Sequence, residues 1–398
     1  MTSIVVHYQE IALKGRNRPW FIARLVNNIR QATADLDVRT VRPLVGRLEL
    51  VLGPAATFEQ VGERLRRVFG IANYSKASRA PLDIDAIATA VLGDLGGLDP
   101  RSFRVTVKRA DKRFPMKSPE IEREVGGRIK LAKGWRVDLD DPELTISVEM
   151  LTHEAFYTFA KVPGPGGLPT GVSGKVACLL SGGIDSPVAS WRMMKRGCSA
   201  ILIHFHSYPF LSRASQEKAR ELAQLLTTYQ LRTRLFLVAF GEIQRQVVLT
   251  APAPLRIVIY RRLMMRIADR IARENGARAL VTGEVVGQVA SQTLENLSLI
   301  SSVTSLPILR PLVGMDKEEI VEQAGRLGSY EISIVPDQDC CQLFTPKHPA
   351  TRATRPAVEE AESRLPIVEM VDQAAAQAVV EQFQFPARPI DRSQDRQI

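Results

Sequence analysis

The sequence predicts a multidomain α/β and α+β protein: two small, basic α+β modules followed by a doubly wound sheet of parallel strands. Three observations carry this. At 398 residues the chain exceeds one ordinary domain. Residues 162–174, Val-Pro-Gly-Pro-Gly-Gly-Leu-Pro-Thr-Gly-Val-Ser-Gly, hold too much Pro and Gly for a helix or strand and read as an interdomain linker. Beyond them, apolar strand runs alternate with helical periodicity, the order that builds a parallel sheet covered on both faces.

Before the linker, residues 3–8 read as a strand, 18–36 as a helix through Phe21, Leu25, Ile29 and Ala32, and 46–52 as a returning strand. Residues 58–69 and 81–97 read as helices, 103–109 as a strand, 119–131 as a helix, and 144–150 with 155–161 as a strand pair. The seam between the two modules is expected near 55–58, giving domains over 1–57 and 58–161. After the linker, strands at 175–180, 199–206, 231–240 and 279–282 alternate with helices at 187–196, 214–229 and 254–275. Ligands of such a sheet bind beyond the carboxyl ends of its strands. This domain is expected over 175–351, with a tail over 352–398 that carries one helix at 366–383 and then a mobile end.

The apolar fraction of 45% is that of a globular protein, and no run approaches about 18 apolar residues, so no membrane helix is expected. The N-terminus lacks the pattern of a secretory signal, which points to the cytoplasm. The net charge of +10 is uneven: residues 1–80 hold 13 Lys and Arg against 6 Asp and Glu, a phosphate-seeking balance. Of four cysteines, Cys178 and Cys198 read as buried hydrophobes, and none has zinc-ligand spacing. The adjacent Cys340 and Cys341 stand apart.

Ser181-Gly-Gly-Ile-Asp-Ser186 lies where the strand at 175–180 hands over to a helix. Gly182 and Gly183 carry no Cβ to keep phosphate oxygens from the backbone, and the amides of the turn and helix N-terminus face the anion. Ser181 and Ser186 add hydroxyl donors, and Asp185 orients the turn or helps hold a magnesium ion. Neither the GxxxxGK[ST] nor the GxGxxG pattern is present, so this is neither a Walker A loop nor a dinucleotide fingerprint. The segment resembles the PP-loop of ATP pyrophosphatases, which adenylate an acceptor oxygen.

Three further stretches narrow the resemblance to the tRNA 4-thiouridine synthetases, the ThiI family. Tyr8-Gln-Glu-Ile-Ala-Leu-Lys-Gly-Arg-Asn17 resembles their N-terminal signature, Gly283-Glu-Val-Val-Gly-Gln-Val-Ala-Ser-Gln-Thr-Leu-Glu-Asn-Leu297 their adenine-side motif, and Asp339-Cys-Cys-Gln-Leu-Phe-Thr-Pro346 the cysteine motif of their short bacterial members. The resemblance implies a ferredoxin-like module, a THUMP domain for tRNA and a PP-loop domain of the adenine nucleotide alpha hydrolase type. It also implies ATP and Mg2+ as cofactors, with ATP contacts at Leu179, Leu180, the loop residues, His204, Phe205, Arg261, Gly283 and Gln292.

Lys14 and Arg16 either contact RNA phosphate or help start the first helix, with Asn17 as its cap. Lys108, Arg109, Lys112, Arg113 and Lys117 surround Phe114, Pro115 and Met116, a mix of charge and apolar groups suited to a splayed RNA end. The implied reaction adenylates a tRNA uracil oxygen and replaces it with sulfur carried as a cysteine persulfide. Cys340 stands at the family's catalytic position, with Cys341 beside it; Asp337 and Asp339 would raise a nearby thiol pKa, so charge alone does not explain reactivity. Long relatives add a rhodanese domain with its own cysteine; here no cysteine follows Cys341. Sulfur is therefore expected directly from a partner, a cysteine desulfurase. The resemblance also suggests a homodimer and a sulfur-carrier partner for thiazole synthesis. Competing expectations are another PP-loop ligase or thiolase, whose CxxC pairs are missing, and a tRNA-binding sulfur carrier that holds ATP without turnover.

Overall fold

A computed structural model describes residues 2–336, 344, 346 and 348–387. The chain divides into two compact units, Met1–Pro169 and Thr170–Ile398.

In the first unit the order is β1 (Ser3–His7), α1 (Arg18–Ala32), β2 (Val38–Leu44), β3 (Arg47–Leu52), α2 (Phe58–Leu65), β4 (Asn73–Pro81), α3 (Ile84–Asp94), β5 (Ser102–Arg109), α4 (Ser118–Lys133), β6 (Arg136–Val137), β7 (Leu144–Met150), β8 (Glu154–Thr158) and β9 (Val162–Pro163). The described strands form one sheet in the order β2-β3-β1-β4-β8-β7-β5-β6, with β9 on β4. Strand β4 belongs to both modules: its first half pairs with β1 and its second half with β8. The seam expected near 55–58 is therefore misplaced. Helix α2 stays with the first module, where the Tyr74 hydroxyl donates to the Gly62 carbonyl at 3.0 Å and Arg64 pairs with Asp35 at 2.7 Å. The modules meet within β4, whose small and polar sequence hides its strand character. On the sheet face away from the helices, buried Glu49 binds Ser3, Arg42 and Arg79, and buried Glu149 binds His7 and Arg47. Burial, Arg47, Lys108 and Lys161 together lower the His7 pKa to about 4, so its imidazole is neutral at pH 7.

The glycine-rich stretch is not a free linker. Gly164 and Gly166 donate to the carbonyls of Ala72 and Ile71, and a Cβ on Gly164 would lie 2.4 Å from the Ile71 oxygen. Its later residues Gly171 and Ser173 bond instead to the Gly197 carbonyl of the second unit. Glycine there permits close backbone contact.

The second unit runs β10 (Lys175–Leu179), α5 (Asp185–Lys195), β11 (Ser199–His206), α6 (Ala214–Gln230), β12 (Arg232–Ala239), α7 (Gly241–Thr250), α8 (Arg256–Glu274), β13 (Leu280–Val281), α9 (Leu294–Ser301), β14 (Ile308–Leu309), α10 (Lys317–Leu327), α11 (Tyr330–Ser333), α12 (Arg355–Glu362), α13 (Ile367–Ala376) and β15 (Val379–Gln384). The sheet order is β14-β13-β10-β11-β12-β15, parallel throughout except for β15. The apolar runs of β10 and β11 are buried as their composition predicts, each large side chain contributing about 1.5–3 kcal/mol. The tail departs from expectation. The helix stops at Ala376, and the β-branched pair Val379-Val380 opens a strand antiparallel to β12 that caps the sheet edge. No described helix is long and apolar enough to cross a membrane.

Candidate active site

The loop Ser181–Ser186 leaves the carboxyl end of β10, beside β11 on one side and β13 on the other. It is shaped by its own serines. Ser186 Oγ accepts from the Ser181 amide at 2.9 Å and lies 3.1 Å from Ser181 Oγ, which accepts from the Gly183 amide at 3.3 Å. Asp185 opens α5, held by Lys317 Nζ at 2.7 Å and by the Gln288 amide at 3.1 Å. The loop amides and the start of α5 face the same end of the sheet, the arrangement that receives a phosphate.

Below the loop opens a cleft of about 190 Å³. Leu179, Ile203, Phe205, Met264 and Met265 make its apolar wall. Leu180, Ser181, Asp185, Ser186, Arg261, Thr282, Gly283, Glu284 and Gln292 complete it. Gly283 is there for space: a Cβ would sit 2.8 Å from both the Asp185 carbonyl carbon and the Ser186 nitrogen. The strand end at β13 and the phosphate loop are thus in backbone contact. Gln292 is buried, and its Oε1 has no hydrogen-bond partner among the described residues. A buried acceptor facing an apolar slot suits the exocyclic amine of a purine.

Buried Glu284 orders the floor. Arg261 Nη1 donates to one of its oxygens at 2.7 Å; Arg310 Nε at 2.8 Å and the Thr282 hydroxyl at 2.9 Å donate to the other. Burial pushes the Glu284 carboxyl up, but Arg261 and Arg310 outweigh it and hold the pKa below the ordinary glutamate value. Arg261 is oriented by this pair rather than lying on a solvated helix face.

Most expected nucleotide residues meet in this cleft, with differences. Gly182 and Gly183 shape the loop but do not line the cleft. His204 lies in the interior, its Nδ1 2.9 Å from the Leu180 carbonyl, where it ties two strand ends together. Sequence reasoning did not single out Ile203, Met264, Met265, Thr282, Glu284, Gln288, Arg310 or Lys317. Glu284 follows Gly283 directly, and that adjacency was the available signal. Among the described residues no group of His, Cys, Asp and Glu forms a metal cage, and Asp185 is the loop's one carboxylate.

In the first unit Lys108, Lys112, Arg113 and Lys117 are exposed on β5 and the loop after it. Arg109 turns inward and donates to the Phe114 and Met116 carbonyls at 3.1 and 2.8 Å. Phe114 and Met116 are partly buried against the core, which leaves Pro115 as the exposed apolar residue among these cations. Arg113 is paired with Asp111, whose pKa falls to about 2 through hydrogen bonds from Arg113. Arg16 is exposed, and Lys14 lies 5.3 Å from the Phe21 ring centroid. Asn17 stands at the N-cap position of α1 but makes no side-chain capping bond. Cys340 and Cys341 lie outside the described residues. Buried Cys178, its pKa pushed up to about 12 by burial, is an inert thiol.

Sequence-family profiles match along the chain: the ThiI ferredoxin-like domain at 3–75, the THUMP domain at 83–157 and the thiamine biosynthesis protein ThiI at 171–367. A probable tRNA sulfurtransferase of Thermus thermophilus is 46% identical over 390 residues, covering 97% of this chain and 95% of the relative. One from Moorella thermoacetica is 45% identical over 371 residues, covering 93% and 95%. A crystal structure of a 4-thiouridine synthetase–RNA complex with bound ATP superposes with a TM-score of 0.87 at 38% identity, over 96% of this chain and 100% of that one. With the PP-loop cleft, the ferredoxin-like module and the THUMP domain in the same order, the chain belongs to the ThiI family of tRNA sulfurtransferases.

Proposed function

We propose that this protein is the ATP-dependent enzyme that converts uridine 8 of tRNA to 4-thiouridine in the cytoplasm. The observation that carries the reading is the cleft itself. A purine-sized apolar slot with an unpartnered Gln292 acceptor runs directly into the amide-rich turn Ser181–Ser186, and Gly283 keeps the two in contact. The family membership supplies the acceptor: the superposed relative is described with both RNA and ATP.

In this reading the loop amides and the two serine hydroxyls hold the β- and γ-phosphates while uracil O4 attacks the α-phosphorus. Pyrophosphate leaves, and the oxygen becomes part of an AMP leaving group. Most of the rate comes from positioning and charge stabilisation. Lys317 and Asp185 stand at the loop as an adjustable ion pair; magnesium arriving with ATP would compete for Asp185. A persulfide on Cys340 or Cys341 then supplies sulfur to C4 and displaces AMP. That terminal sulfur, delivered by a cysteine desulfurase, is now bonded to both C4 and the cysteine. The thiolate of the second cysteine attacks the first cysteine's sulfur, freeing 4-thiouridine and leaving a Cys340–Cys341 disulfide that an external thiol reduces. Lys14, Arg16, Lys108, Lys112, Arg113 and Lys117 supply cations for the RNA. A homodimer and a second sulfur acceptor, a carrier protein of thiazole synthesis, belong to the same reading.

The test is pyrophosphate release with and without added tRNA, together with mass analysis of the product nucleoside. Release that depends on tRNA, with 4-thiouridine at position 8, is expected; tRNA-independent turnover would overturn the reading. Cys340→Ser and Cys341→Ser should each leave tRNA-dependent pyrophosphate release within about threefold of wild type while thiolation falls at least tenfold. Unchanged thiolation in both variants would remove the cysteines from the sulfur route.

A further inference from the structure

The loop that follows β11 does something the nucleotide cleft does not explain. Ile203 and Phe205 of β11 line the cleft. Just beyond the carboxyl end of that strand, Tyr208 and Phe210 leave 41% and 45% of their surface in solvent. These rings are not loosely held. The Ser207 hydroxyl donates to Gln244 Oε1 at 2.6 Å, both side chains being buried, and the Leu211 amide donates to the Ser207 carbonyl at 3.0 Å. The Phe240 amide donates to the His206 carbonyl at 2.8 Å. Phe210 lies so close to the start of α7 that a Cβ on Gly241 would fall 2.5 Å from a ring carbon. Arg213 covers the Tyr208 ring, its guanidinium 4.6 Å from the centroid and its Nη2 3.3 Å from the phenol oxygen. No carboxylate pairs with Arg213 among the described residues.

Two exposed aromatic rings and a guanidinium with no carboxylate partner among the described residues form a surface that is aromatic, apolar and positive. A phosphate site would need amides or further cations, and membership of a family of tRNA sulfurtransferases favours a nucleobase over a protein side chain. An unpaired nucleobase meets all three properties: its face stacks on an aromatic ring, its carbonyls accept from a guanidinium, and its backbone is anionic. The loop follows directly on β11, whose Ile203 and Phe205 line the cleft, which suits a base that must present its oxygen to an activated nucleotide. We infer that Tyr208, Phe210 and Arg213 form a stacking platform for an unpaired RNA base beside the ATP cleft. The assignment rests on the proposed function for its choice of RNA, and it adds a contact surface on the catalytic unit itself.

The platform is tested with the full chain, by fluorescence anisotropy of a labelled single-stranded oligouridylate and, separately, by the dissociation constant for ATP. Tyr208→Leu combined with Phe210→Leu keeps apolar volume but removes stacking; RNA affinity should fall about tenfold or more while ATP affinity stays within twofold. Tyr208→Phe should retain near wild-type RNA binding. Arg213→Gln, a change at an exposed position, provides a second variant and should weaken RNA binding about threefold to tenfold. With tRNA as substrate, the KM for tRNA should rise and the KM for ATP should not. RNA affinity unchanged in both the double variant and Arg213→Gln would overturn the platform, including the case in which the rings serve a protein partner. The two claims fail separately: a wild-type protein that binds oligouridylate through this loop but shows no tRNA-dependent pyrophosphate release sinks the function and leaves the platform standing.

Discussion

Gly283 is where one atom decides the site. Its missing Cβ lets the end of β13 lie against Asp185 and Ser186, and an added methyl would meet backbone, which has no rotamer by which to yield. Gly283→Ala should therefore displace the phosphate loop, weaken ATP binding roughly five- to a hundredfold and lower the unfolding midpoint in step with about 1–3 kcal/mol of overpacking strain. Isothermal titration with ATP beside a thermal melt checks both halves. The loop residues were legible because Ser181 to Ser186 are contiguous and their chemistry is local. The side chain of His204 lies outside the cleft by strand periodicity: Ile203 and Phe205 face the cleft, so the residue between them points the other way. Glu284 was missed. Its partners Arg261 and Arg310 are 23 and 26 residues away in sequence, and only the folded sheet end brings the three together.

At the scale of elements, the C-terminal segment acts on the cleft from behind. Helix α8, which brings Arg261, Met264 and Met265 to the site, is gripped on its other side by Glu362 of α12. That carboxylate accepts from Arg262 at 2.8 and 2.9 Å and from Arg266 at 2.8 Å on each oxygen. Burial pushes Glu362 up, but Arg266 and Arg262 prevail and hold its pKa near 2 against an ordinary 4.5. Because the folded pKa is the lower, the contribution is complete above about pH 4.5 and is lost as pH falls toward 2; it amounts to about 3 kcal/mol. Glu362→Gln should lower stability at pH 7 by about that amount and flatten the dependence of unfolding free energy on pH below 4.5. Urea melts of both proteins at pH 7, 4.5 and 3.5 make the comparison. The helices with clear periodicity were readable within a few residues at each end. Strands β2 and β4 were not, because polar and small residues fill them and neighbouring strands supply their burial. The antiparallel strand β15 is likewise a tertiary outcome, fixed by the free edge of β12 and by the two-oxygen grip of Arg220 on Glu381.

For the molecule as a whole, the two units each own a hydrophobic core. All cleft residues fall in the second. A fragment spanning 170–398 should fold alone and bind ATP within about threefold of the full chain, while tRNA-dependent pyrophosphate release should drop at least tenfold. Equal turnover by fragment and full chain would mean that the cationic surface of the first unit has no part in RNA capture. The order of the two units along the chain was plain from the Pro and Gly run, but that run proved to be anchored at both ends. The position of β15 bears on biogenesis. Strands β10 to β14 leave the ribosome with the long flank of β12 bare, and residues 379–384, which cover it, are synthesised only after all of them. Glu362 reaches Arg262 from 100 residues downstream. During translation the nucleotide sheet is therefore an unfinished template with an open hydrogen-bonding edge, while the first unit is already complete. Nascent chains should become resistant to protease across the second unit only once residues 379–384 have emerged from the ribosome, which makes that strand a timer for the birth of an ATP-competent protein.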